Sequence, residues 1–83
     1  MIDYTKTPDQ PLSVYVEHAV QKFFENADTE HAGRLYEVFL HDLEQSLFAA
    51  TLRHTNGNQS KTAELLGMNR GTLRTKLKFH GLI

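Results

Sequence analysis

The chain of 83 residues predicts an all-α protein of four helices, two long ones followed by two short ones. Three observations carry that prediction. Apolar residues recur at three- and four-residue steps through residues 12–26 and 33–54, the period of a helix with one buried face. Asparagine and glycine at 56–58 and 67–69 then cut off two short helical stretches. No stretch alternates apolar and polar residues as a strand does, and there is no repeat or low-complexity tract. The length fits one domain near the lower limit for a self-sufficient core. Without cysteine, disulfides and thiolate metal sites cannot supply the missing stability, which leaves oligomerisation as the common remedy.

Residues 1–11, "MIDYTKTPDQP", are polar, contain Pro8 and Pro11, and show no helical period; they predict a flexible N-terminal arm. The arm lacks a basic stretch followed by an apolar one, and no apolar run in the chain is long enough to span a bilayer. A cytoplasmic protein without a membrane partner is expected. Leu12, Val16, Ala19, Val20, Phe23 and Phe24 define the first helix, over about 12–26. "NADTEHAG" interrupts it. From about Gly33 a longer pattern runs to His54 through Leu35, Tyr36, Phe39, Leu40, Leu43, Leu47, Ala50 and Leu52, with Val38 and Phe48 beside them. Its apolar sector is wider than one flank of a small monomer requires. A helix of about 22 residues is about 33 Å long, too long a rod for this chain to cover. A second copy is the obvious cover, with Phe39, Leu43, Leu47 and Ala50 as the candidate dimer interface, and residues 12–55 form the expected dimerisation region.

Residues 56–83 form the second region. "TNGN" ends the long helix, with Gly57 placed for a left-handed terminal residue. Asn58 can cap a helix over 59–66, Gly67 ends it, and Asn69 can cap a last helix over 70–79. Two short helices joined by a tight glycine turn are what a helix-turn-helix needs. Ala63 is small where the helices would cross. Leu65, Leu66, Met68, Leu73 and Leu77 would hold the angle.

Charge follows the same division. Residues 1–52 hold three basic side chains against nine acidic ones, a balance of −6; residues 53–83 hold six against one, a balance of +5. A basic end on an acidic body suits a polyanion held at one pole. At about 100° per residue, Leu73 and Leu77 share one face of the last helix while Gly71, Thr72, Thr75 and Lys78 lie opposite. Arg70, in the first turn, is long enough to reach a base edge in the major groove, where guanine offers two acceptors. Thr72, Arg74 and Lys76 suit phosphates, as does the start of the preceding helix at Asn58, Gln59 and Ser60. Lys78 is a further cation toward the backbone. The bland alternative is a helical adaptor whose basic residues only keep it soluble.

"GNQSKTAELLGMNRGTLRTKLKFHGL" resembles the helix-turn-helix of the Fis family (factor for inversion stimulation) of bacterial nucleoid proteins, and "GNQSKTA" and "NRGTLRTKL" carry the likeness most specifically. It continues upstream through "LYEVFLHDLEQSL" and, more weakly, "PLSVYVEHAVQKFF". The resemblance implies an intertwined homodimer with a four-helix core and a helix-turn-helix at each end. It implies that Arg70 reads a guanine, that Asn69 lies near a base, and that Asn58, Ser60, Thr72 and Arg74 hold the DNA backbone. It further implies bent double-stranded DNA with a narrowed A/T-rich centre, and a role in nucleoid organisation and transcription. A similar ending occurs in the DNA-binding domains of enhancer-binding response regulators, where it is appended to larger receiver and ATPase domains that this sequence does not contain; a helix-turn-helix domain of an enhancer-binding transcriptional activator is the alternative expectation. Thr75 and Phe79 stand where better-known members carry lysine, and Asn56 replaces a basic residue, which weakens the expected phosphate contacts and wrapping of distal DNA. The short arm means that recombinase stimulation does not carry over safely.

Little points to chemistry. Of the five histidines, His18, His31, His41, His54 and His80, none pair at i, i+4, and no ligand set is complete; all five are expected at the surface. Glu37, Asp42 and Glu44 are expected on the solvated face of the long helix, and Phe79 packed against Leu82 and Ile83. No catalytic residues, cofactor or metal are expected.

Overall fold

The structure, a computed structural model, describes residues 10–26 and 33–83. These form four helices and no strand: α1 (Leu12–Glu25), α2 (Leu35–His54), α3 (Gln59–Leu66) and α4 (Arg70–Phe79). Apart from Gln10 and Pro11, the expected arm lies outside the described residues, as do His31 and most of the connection after α1. The chain divides after Gly33 into two compact units, the first holding α1 and the second α2, α3 and α4.

α1 starts behind Pro11, an extended residue (φ −63°, ψ 156°) whose carbonyl accepts from Val14 N at 3.0 Å. Lys22 in its last turn suits the negative end of the helix dipole. None of its residues is buried; Leu12, Val16 and Phe24 are all exposed.

The core of the second unit is small. Phe48 of α2, Ala63 of α3, and Leu73 and Leu77 of α4 are buried, flanked by Leu52, Leu66, Met68 and Leu82. Ala63 therefore stands at the helix crossing, where a larger side chain would force the elements apart. Leu65 does not join them: it is 53% exposed, because it lies about 200° around α3 from Ala63, whereas Leu66 lies on the buried side. Thr62, also fully buried, is satisfied locally. Its Oγ1 donates to the Asn58 carbonyl at 2.8 Å and lies 2.7 Å from the Thr55 hydroxyl, joining the end of α2 to α3 without an orphaned polar atom.

Three helices end alike. Met68 N reaches Ala63 O at 2.9 Å and Gly67 N reaches Glu64 O at 3.2 Å; the pairs Gly57–Leu52 with Asn56–Arg53, and Leu82–Leu77 with Gly81–Lys78, repeat the pattern. This is the Schellman arrangement, which needs a left-handed residue at its corner. Gly67 has φ +70°, where a β-carbon costs about 1–2 kcal/mol. After α2 the corner falls on Asn56 (φ 56°), with Gly57 also left-handed. The terminator is thus one residue earlier than the sequence suggests, and asparagine tolerates the conformation better than most side chains.

Three further expectations are corrected. His80 is buried and Glu44 is only partly exposed, because both lie between α2 and α4 and not on solvated faces. Phe79 does not pack on Leu82 and Ile83: it is 74% exposed, edge-on to His41 with centroids 5.9 Å apart. The left-handed Gly81 turns the chain back so that Leu82 N meets Leu77 O at 2.8 Å, which sets Leu82 against the core.

Candidate nucleic-acid interface

The interface is assembled from two capped helix starts. Asn58 Oδ1 accepts from Lys61 N at 3.0 Å; Asn69 Oδ1 accepts from Gly71 N at 2.8 Å and Thr72 N at 3.2 Å. Each cap satisfies donors that have no partner inside the helix. The Asn69 cap also constrains its neighbour, since a β-carbon at Gly71 would stand 3.2 Å from Asn69 Oδ1.

Two hydrogen bonds tie these starts together. Arg70 Nη1 donates to Ser60 Oγ at 3.2 Å, and Arg74 Nη1 donates to Gln59 Oε1 at 3.0 Å. Both guanidinium groups are thereby held over the first turn of α3. A guanidinium has five N–H donors, so one bond to α3 orients each arginine and leaves most of its donors for a ligand. Gly57, Asn58, Gln59, Ser60, Arg70, Gly71 and Arg74 line one concave surface. The positive end of the α3 dipole and the amides of its first turn add to the same side. Such a surface can take an anionic oxygen and, beside it, a planar acceptor pair.

The structure brings together Asn58, Gln59, Ser60, Arg70 and Arg74 among the residues singled out from the sequence. Asn69 and Thr72 adjoin them through the cap, and Lys78 is exposed farther along α4. Lys76 is different: its Nζ lies 2.9 Å from Glu44 Oε2 of α2. The other oxygen of Glu44 lies 3.1 Å from Nε2 of the buried His80. The hydrogen bonds from His80 and then from Lys76 hold the Glu44 carboxyl below its usual value. This link between α2 and α4 is absent from the sequence reading. The available signal was the four-residue step between Glu44 and Phe48, which puts the carboxylate on the packed face of α2. Among the described residues no group of three or more His, Cys, Asp or Glu could hold a metal ion, and no helix is long and apolar enough to cross a membrane.

Two short capped helices, a left-handed glycine between them, and a basic outer surface over the second define a helix-turn-helix protein. A family model described as bacterial regulatory protein, Fis family, matches residues 39–79. The DNA-binding protein Fis of Glaesserella parasuis serovar 5 (strain SH0165) is 42% identical over 74 residues, covering 89% of this chain and 76% of that relative. The chain belongs to the Fis family of bacterial regulatory proteins.

Proposed function

We propose that the protein is a homodimeric DNA-binding and DNA-bending protein of the bacterial nucleoid that regulates transcription. The observation that carries this reading is the pair of arginines fixed over the first turn of α3 by Ser60 and Gln59. In this reading Arg70 enters the major groove and meets guanine. Asn58, Gln59, Ser60, Thr72, Arg74 and Lys78 take the backbone, and Asn69 lies near a base. The relative at 42% identity carries DNA binding in its name, which supports the same conclusion. The dimer is supported by the exposed apolar stripe of α2, where Tyr36, Leu40, Leu43 and Leu47 lie open to solvent.

A gel-shift titration at two salt concentrations tests the reading. The logarithm of the association constant falls with the logarithm of salt at a slope of about −0.9 per neutralised phosphate. A steep negative slope is expected. A chain that shifts no duplex at low salt, or whose affinity ignores salt, is not such a protein.

A further inference from the structure

Glu44 divides its carboxylate between Lys76 of α4 and His80, the residue that caps the C-terminus of α4. Oε2 lies 2.9 Å from Lys76 Nζ and Oε1 lies 3.1 Å from His80 Nε2. Lys76 and His80 are four residues apart, on one face of the end of α4. The site is sheltered: the side chain of Glu44 is 24% exposed and that of His80 is 0% exposed. His80 is fixed in turn by the rings of His41 and Phe48, at centroid distances of 4.6 and 5.9 Å. Glu44 therefore cannot follow Lys76 outward without leaving a buried imidazole behind. By contrast Lys61 and Glu64, 3.8 Å apart and both largely exposed, form a pair that water and salt screen easily. The Lys76 side chain is 41% exposed and keeps further N–H donors, but its charge is already offset by a sheltered anion at 2.9 Å, which lowers what it can add at a phosphate.

We propose that Glu44 acts as an internal counter-anion that occupies Lys76 and withholds it from the DNA backbone, so that α4 presents one cation fewer than its sequence contains. The role rests on the DNA-binding reading above. It makes Glu44 a positioning residue for the interface although it lies on α2.

The test is the salt dependence of affinity for a random-sequence duplex, measured with the full chain as wild type, Lys76→Gln, Glu44→Gln and the double variant. Lys76→Gln is expected to keep the wild-type slope. Glu44→Gln should bind more tightly at low salt, with a slope steeper by about 0.9 per protomer, and the double variant should return to the wild-type slope. A flatter slope for Lys76→Gln alone, or an unchanged slope for Glu44→Gln, overturns the proposal. So does a double variant as tight as Glu44→Gln, which would reflect only the loss of a negative charge. If Glu44→Gln does not fold, the Lys76→Gln slope decides the matter alone. Absence of wild-type binding at low salt overturns the DNA reading and this role together, whereas wild-type binding with the wrong slopes overturns only the role of Glu44.

Discussion

Arg70 and Lys78 are both exposed cations of α4, but their surroundings differ, and so do the roles proposed for them. Arg70 is oriented by Ser60 at 3.2 Å, and a fixed planar donor set can distinguish one base edge from another. Lys78 is a flexible point charge toward the end of the helix. Arg70→Ala is expected to cost about 1–3 kcal/mol per half-site and to relax any preference for guanine. Lys78→Ala should weaken all sequences alike and reduce the salt slope by about one. Competition gel shifts with guanine-substituted duplexes check both, and equal affinity of wild type and Arg70→Ala for the best site would contradict the assigned register. The residues that build this site are legible in the sequence because their roles are local. Asn58 and Asn69 cap within three residues, Gly67 turns in place, and the limits of α3 and α4 follow from them. His80, Glu44 and Phe79 are not legible in that way, since their burial or exposure is decided by which face of α2 meets which face of α4.

α2 shows the same distinction at the scale of an element. At about 100° per residue, His41, Glu44, Phe48 and Leu52 share the face toward α4, while Tyr36, Phe39, Leu40, Leu43, Leu47 and Ala50 fall in an arc of about 100° on another side. The broad apolar sector read from the sequence is therefore two faces, only one of them used by the helix-turn-helix. The other is the expected dimer surface. Leu43→Glu or Leu47→Glu should cost the dimer at least about 2–5 kcal/mol, read as a shift to monomer in analytical ultracentrifugation; a folded variant sedimenting like wild type would refute the assignment. The face toward α4 carries a pH prediction. The Glu44 carboxyl is held below its ordinary value of 4.5 by His80 and Lys76. The ionised form is thus favoured in the folded state, and the stability it contributes is present above pH 4.5 and lost as pH falls through the lower folded value. Urea midpoints of wild type and Glu44→Gln should differ most above pH 4.5 and converge as pH falls below it. A constant gap across that range would mean that the carboxylate charge contributes nothing.

At the scale of the whole molecule, charge and length together determine what the DNA must do. The basic residues concentrate from residue 53 onward, with a balance of +5 against −6 before it, so each protomer of the proposed dimer would offer DNA one basic region. Two-fold symmetry then requires inverted half-sites, which straight DNA spaces by about 34–36 Å along one face. In the proposed dimer, recognition helices carried by paired copies of α2, which has 20 residues and is about 30 Å long, would fall short of that spacing. On that proposal the duplex would close the gap itself, by curving and narrowing its minor groove, at an elastic cost of about 1–6 kcal/mol. That cost is lowest where the centre is A/T-rich, so bases that no side chain touches should still change the affinity. Circular-permutation electrophoresis on a selected site, with the central bases changed from A/T to G/C, measures both effects. Mobility should depend on the position of the site within the fragment, and the G/C centre should bind more weakly. Position-independent mobility, or affinity indifferent to the centre, would exclude bending and require the half-sites to be reached on straight DNA.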